Sequence, residues 1–205
     1  MSADQYQVLT STRQFSGRVI SLRTDEVRMS DGTVATREIV EHPGAVGVVA
    51  LDDDDQVVFV NQYRHPVGRY LDELPAGLLD VAGEPAALAA QRELKEETGL
   101  AAAEWHVLID LFTSPGMTNE AIRIFLARGL SDAPGEPFVP EHEEITLTVS
   151  RVPLDEAVAR ALSGELTNAA AVAGVCAAAA SRAGGWRDLR PADSAWPGRP
   201  RPTDR

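Results

Sequence analysis

The sequence has little of three things. It carries one cysteine, Cys176, only 5% aromatic residues in a chain of 205, and no apolar run long enough to span a bilayer. A single cysteine excludes an intrachain disulfide framework and a cysteine-based zinc site. Without an apolar run of about eighteen residues, a membrane-spanning helix is excluded. The stretch from Met1 to Gln7 is polar and lacks the apolar segment of a secretory signal, so the expected address is the cytoplasm. With few aromatic rings, packing falls to Val, Leu, Ile and Ala, and alanine is dense at 86–90, 101–103 and 169–180. Basic residues are also outnumbered, 19 Lys and Arg against 31 Asp and Glu, for a net charge of −12. That balance disfavours a nucleic-acid binder, which needs clustered cations for the phosphates. An acidic chain still handles phosphorylated substrates when divalent cations bridge the like charges.

Length and a 44% hydrophobic composition suit one compact domain with a short appendage. Residues 17–23 alternate polar and apolar side chains as a half-buried strand does, and 26–29 repeat the pattern. Asp31-Gly32 then supplies a hairpin turn, with 33–40 as the return strand. Two apolar stretches, 45–51 and 57–60, read as buried strands joined by the acidic turn Asp52-Asp53-Asp54-Asp55. A solvated loop tip accounts for these aspartates better than a calcium loop, since the glycine and distal glutamate of such a loop are missing. From Pro85 to Thr98 the pattern turns helical, with Ala87, Ala90 and Leu94 on one face and Gly99 just past the end. Strands follow at 105–112, 121–126 and 145–149, then helices at 153–162 and 167–183. From Arg187 onward the prolines, arginines and acids suggest a loosely draped or disordered tail. The order of elements points to an α+β fold with divisions at 1–44, 45–184 and 185–205.

The helix at 85–98 carries the chemistry. Glu93 and Glu97 are i, i+4 neighbours, Glu96 flanks them, and Glu84 stands at the helix entrance. Like charges so spaced destabilise an isolated helix by about 0.3 kcal/mol per pair. A hard cation such as Mg²⁺, which takes oxygen ligands and keeps waters or substrate phosphates, turns that repulsion into binding. Arg92 beside the stripe is suited to orient a glutamate through a bidentate pair. The competing reading is an exposed face laced with salt bridges. It fits poorly, because one lysine, Lys95, stands among four acids and points elsewhere on the helical wheel.

Glu84, Arg92-Glu93-Leu94, Glu96-Glu97 and Gly99-Leu100 match the Nudix box, G-x5-E-x7-R-E-U-x-E-E-x-G-U, with six residues rather than five between Gly77 and Glu84. The inserted residue lies before the helix and leaves the glutamate register intact. Gln62-Tyr63-Arg64-His65, Glu73-Leu74-Pro75-Ala76-Gly77 and Ser114-Pro115-Gly116 resemble the ADP-ribose pyrophosphatases of that superfamily, and the run ELPAGLLDVAGEP resembles the actinobacterial ones. The similarity spans residues 18–174.

The resemblance implies the Nudix α/β/α sandwich with a mixed sheet, and a homodimer in which the N-terminal strands of residues 1–44 exchange. It implies hydrolysis of the ADP-ribose diphosphate to AMP and ribose 5-phosphate with Mg²⁺, or Mn²⁺. The metal ligands so implied are Glu93, Glu96, Glu97 and the Ala76 carbonyl, with Glu84 supporting the helix entrance. The general base falls among Glu144, Glu143 and Glu141. Arg64, Glu73, Arg37, Glu41 and Met117 are the substrate-binding candidates, and 117–120 is expected to form a mobile loop over the substrate. Neither nucleic acid nor membrane is expected as a partner. The alternatives are another nucleoside diphosphate derivative as substrate, or a non-catalytic module that binds ADP-ribose or an NAD-like ligand.

Overall fold

A computed structural model describes residues 6–135 and 146–200. Two compact units emerge, Met1–Gly44 with Phe112–Ala121 and Gly198–Arg205, and Ala45–Leu111 with Ile122–Pro197.

The first unit is built on an antiparallel meander of β1 (Gln7–Ser16), β2 (Ser21–Arg28) and β3 (Val34–Glu41). The β2–β3 hairpin turns at Asp31-Gly32, as its sequence suggests. Asp31 Oδ1 accepts from the Thr33 amide at 3.0 Å and its hydroxyl at 2.7 Å, and Gly32 takes φ 84°. The strand expected over 17–23 begins only at Ser21. Gly17 donates its N–H to Ile20 O at 2.8 Å, and a Cβ there would stand 2.8 Å from the Phe15 ring, so 17–20 is the turn between β1 and β2. Every residue of β1 is exposed, so it buries no face and leaves no alternating signature in the sequence.

The second unit is layered, and the layers follow from the two-residue period of its strands. A five-stranded mixed sheet runs β11 (Arg190–Pro191), β8 (Leu100–Phe112), β9 (Ala121–Asp132), β4 (Ala45–Ala50), β7 (Ala76–Leu78). Strand β4 is buried throughout and lies parallel to β9 and antiparallel to β7. Its residues Ala45 and Val49, with Ile122, Ile124 and Leu126 of β9, pack on one side against α2 (Leu154–Ser163) and α3 (Ala169–Ala183). Val46, Val48 and Ala50, with Phe125 and Ala127, pack on the other against α1 (Ala86–Thr98). Helices thus cover both faces, which is the expected α/β/α sandwich. At Gly174 α3 approaches so closely that a Cβ would lie 2.7 Å from Leu74 and 3.1 Å from Val49. A second, antiparallel sheet orders β10 (Thr148–Pro153), β5 (Gln56–Arg64) and β6 (Arg69–Glu73). The acidic turn between β4 and β5 caps itself, with Asp52 Oδ1 accepting from the amides of Asp54 and Gln56 at 3.0 and 2.9 Å. Among the described residues no helix is long and apolar enough to cross a membrane.

The segment after Arg187 departs from expectation. Arg190 and Pro191 pair with Val107 and His106 at the edge of β8. Arg123, buried in β9, donates to Ser194 O at 2.6 Å and Ala195 O at 3.0 Å, and Trp196 lies 4.9 Å from its guanidinium. The segment therefore straps the sheet edge through residues 190–196. Its anchors are backbone carbonyls and a cation some seventy residues away in sequence, a partnership that periodicity and composition do not encode.

Asp110 joins this strap. Burial pushes its carboxyl pKa up, but hydrogen bonds from Arg123 (2.7 and 3.1 Å) and Arg190 (2.8 Å) more than offset this and hold it below the ordinary value. A lowered folded-state pKa contributes stability above the unfolded value of about 3.9 that disappears as pH falls through the folded value. We expect urea midpoints to be flat above about pH 5 and to fall below about pH 4. Asp110→Asn should lose part of that acid slope while lowering the neutral-pH midpoint; an unchanged slope would remove Asp110 from the account.

Candidate active site

Helix α1 begins after Pro85, extended at φ −61° and ψ 138°, and ends at Gly99, whose φ of 71° turns its N–H back to Lys95 O at 2.9 Å. Ala89, Ala90 and Leu94 are buried under the sheet, and Lys95 is exposed. That rotation leaves Arg92, Glu93, Glu96 and Glu97 along one flank, facing the 76–77 segment.

Two contacts tie the flank to that segment. Glu97 Oε2 accepts the Ala76 N–H at 2.9 Å. The Glu93 carboxylate lies over Gly77, where a Cβ would stand 2.0 Å from Glu93 Cδ and 2.1 Å from Oε1. Only glycine leaves that space. The carboxylates are gathered by Arg92. Its Nε and Nη2 donate to the two oxygens of Glu84 at 3.3 and 3.2 Å, and its Nη1 donates to Glu93 at 2.6 Å and Glu96 at 3.1 Å. Charge-assisted hydrogen bonds of about 1.5 kcal/mol each outweigh like-charge repulsion of tenths of a kcal/mol. Glu84 above all, with Glu93, raises the Arg92 pKa, so this cation is permanent. Burial raises the Glu93 carboxyl pKa despite Arg92 beside it.

Among the described residues, no group of three or more His, Cys, Asp or Glu already stands in a metal-holding arrangement. The reason is visible: Arg92 shares out Glu84, Glu93 and Glu96, while Glu97 turns to the Ala76 amide. The donor set nevertheless fits a hard divalent cation, being oxygen-only and anionic, with the glycine cradle holding the Glu93 head group in place. Ala76 takes part here through its N–H. Cys176 lies in α3, half-buried and outside this set.

Arg64 and Glu73 meet as a bidentate pair across the β5–β6 hairpin, at 2.9 and 2.6 Å. Glu73 is buried while much of the Arg64 side chain reaches solvent, so the carboxylate fixes the guanidinium.

The other candidates lie in the first unit. Glu41, at the end of β3, is buried and accepts from Arg13 at 3.2 Å and Arg23 at 2.8 Å, and Arg23 also meets buried Asp25 at 3.2 Å. Arg13 and Arg23 were not singled out from the sequence. Their signal is cross-strand register, Arg13 opposite Arg23 and Ser21 opposite Glu41, which needs β1 to be known first. Arg37 is exposed and donates to Thr36 O at 2.9 Å. Met117 is 61% exposed, and its carbonyl accepts the Val40 N–H at 2.8 Å. The loop of Met117 is thus stitched to β3, with Asn119 Oδ1 also accepting the His42 N–H at 2.8 Å. His42 Nδ1 accepts the Gly44 N–H at 3.1 Å, which marks a neutral ring; burial lowers its pKa against the pull of Glu120. Glu141, Glu143 and Glu144 lie outside the described residues.

Residues 41–172 match the family described as NUDIX domain. The chain is 48% identical over 98% of its length to an ADP-ribose pyrophosphatase of Mycobacterium tuberculosis, covering 95% of that protein, so the likeness extends past residues 18–174 into the strap. It is 36% identical over 82% of its length to an ADP-ribose pyrophosphatase of Bacillus subtilis, covering 90% of that one. A crystal structure of an ADP compounds hydrolase shares the fold, with a TM-score of 0.76 and 24% identity over 91% of this chain and 99% of the other. With its glutamate helix on an α/β/α sandwich, this chain belongs to the NUDIX-domain family.

Proposed function

We propose that this protein hydrolyses the diphosphate bond of ADP-ribose, releasing AMP and ribose 5-phosphate, with Mg²⁺ or Mn²⁺ as cofactor. The observation that carries the reading is the meeting of Glu93 and Glu97 with the Ala76-Gly77 segment, with Glu96 joined to Glu93 through Arg92, in a chain 48% identical to an ADP-ribose pyrophosphatase. Glu93, Glu96 and Glu97, with the Ala76 carbonyl, would hold the cation. When bound, the metal supplies charge neutralisation of the diphosphate and a water of lowered pKa.

The chain's own residues do the rest. Arg92 presents the glutamates in one orientation and, sharing its charge among them, keeps a dense anionic site from unfolding the helix end. Gly77 admits the Glu93 carboxylate. The Arg64 guanidinium, steadied by Glu73, binds a phosphate or the terminal ribose. Arg37, Glu41 and Met117, in the first unit, are the remaining candidates for substrate contact. In the reaction the water oxygen forms a bond to one phosphorus, the bond from that phosphorus to the bridging oxygen breaks, and the water's proton passes to one of Glu144, Glu143 or Glu141. The one cysteine is free, in keeping with a cytoplasmic address. We take the working form to be a homodimer built through the N-terminal strands. Supporting this, β1 is exposed along its length and carries Val8, Leu9 and Phe15 in the open.

Product analysis tests the reaction. AMP and ribose 5-phosphate should appear with Mg²⁺ and vanish with EDTA. ADP-ribose bound but intact would favour a regulatory binder, and faster turnover of a nucleotide sugar would favour another substrate. Glu97→Gln should lower kcat by about a hundredfold or more with melting little changed, because the amide oxygen still accepts the Ala76 N–H. Wild-type turnover in that variant would discard the ligand assignment. Gly77→Ala should cost about 1–3 kcal/mol in urea unfolding and most of the activity, since its methyl needs the space of the Glu93 head group. Sedimentation velocity should give twice the monomer mass.

A further inference from the structure

Of the buried polar side chains described in the second unit, two are held by the fold and one is not. Arg123 makes four hydrogen bonds, and Glu73 accepts two from Arg64. Gln62 is only 9% exposed, and its carboxamide makes no hydrogen bond among the described residues. Its neighbour Asn61, on the other face of β5, donates to Asp72 at 2.7 Å. Folds rarely leave a buried amide idle. The Gln62 amide is not sealed in either. Among the described residues, fully enclosed side-chain nitrogen or oxygen atoms without a partner occur at Arg23, Asp25 and Ser181, and not at Gln62. The stem of Gln62 is thus packed while its polar tip stays open to a ligand.

The register places that tip. Residues 60, 62 and 64 share one face of β5 and stand opposite Glu73, Leu71 and Arg69 of β6 in turn. The ion pair of Arg64 with Glu73 therefore runs diagonally across the Gln62–Leu71 pair. Val58, on the same face of β5, packs in the cluster that includes the buried residues of α1, so Gln62 stands on the α1 side of its sheet. All these residues belong to the second unit. The groups beside Gln62 are one-sided. Arg64 has donors only, and both Glu73 oxygens are taken by it. A phosphate oxygen, which only accepts, suits Arg64 and leaves the Gln62 carbonyl unmatched. A hydroxyl both donates and accepts, so it matches either end of a carboxamide. ADP-ribose carries such hydroxyls on the sugar next to its diphosphate.

We propose that Gln62 is a specificity-determining residue, whose carboxamide reads a hydroxyl of the terminal ribose while Arg64 takes the adjoining phosphate. This rests on the proposed role of Arg64 in binding ADP-ribose. It divides the work of one hairpin face: the guanidinium answers the charge that any nucleoside diphosphate derivative carries, and the amide answers the sugar.

Calorimetric binding to the full-length protein in EDTA, where no turnover occurs, tests this. The two ligands are ADP-ribose and the β-methyl ester of ADP, which keeps the diphosphate and its charge but has no terminal sugar. The wild type should bind ADP-ribose about tenfold more tightly than the ester. Gln62→Met keeps the length of the stem and removes both donor and acceptor. It should bring the two affinities within about twofold, weakening ADP-ribose and sparing the ester. The melting temperature should stay within about two degrees of wild type, because no hydrogen bond of the fold is lost. Gln62→Glu, which keeps an acceptor for the hydroxyl, should weaken both ligands through its charge yet retain the preference, and it carries the test should methionine disturb the fold. Equal weakening of both ligands by methionine overturns the proposal, since the amide then serves the phosphate. A lower melting temperature with the preference unchanged also overturns it and leaves Gln62 a packing residue, as does a wild type that does not distinguish the ligands or binds neither. A wild type that prefers ADP-ribose yet releases no AMP with Mg²⁺ keeps this assignment and discards the hydrolase reading, so the two failures are distinguishable.

Discussion

The contact between α1 and the Ala76-Gly77 segment governs much of what this protein can do. Glu93 and Glu97 reach the segment only because residue 77 lacks a side chain and residue 76 offers an N–H. The same helix is committed to the core through Ala89, Ala90 and Leu94. Burial therefore sets the rotation of the helix, and the rotation sets where the carboxylates stand. Neither the glycine nor the buried leucine carries a charge, yet the anionic site depends on both.

Arg92 resolves a conflict that the site creates. Three acids within about a helix turn, and a fourth before the helix, repel each other and lose hydration when packed against a sheet. The raised pKa of Glu93 is the direct sign of that loss. A guanidinium has enough donors, fixed in a plane, to satisfy three of those acids at once, which an ammonium on a flexible stem does less well. The same economy recurs in the sheet, where Arg123 serves Asp110 and two backbone carbonyls. In both places one arginine turns a group of buried or half-buried oxygen atoms into a fixed geometry.

Elements whose burial is written in local periodicity were legible from the chain alone. The apolar run of β4 and the glutamate helix with its proline start and glycine stop both appear close to where the sequence puts them. The β2–β3 hairpin was legible from Asp31-Gly32. What was not legible has a common cause. Strand β1 is exposed on every residue and carries no alternation, and with it went the arginines that hold Glu41. The strap from Arg190 is polar and proline-rich, and it is held by single ionic and carbonyl contacts from β8 and β9.

The sequence by itself determined the helix on which three carboxylates and an arginine recur at fixed spacing, and with a fourth acid at its entrance these residues carry the resemblance that implied the family and its sandwich. Those are short-range properties, since the helical period relates residues three and four apart whatever the rest of the chain does. Only the tertiary structure decided that Arg92 divides itself among Glu84, Glu93 and Glu96, that Glu73 steadies Arg64, and that residues 190–195 close over Asp110 and Arg123. Each of these depends on which side chains meet after distant segments pack. A guanidinium can serve any carboxylate within reach, so reach in three dimensions, not spacing along the chain, selects its partner.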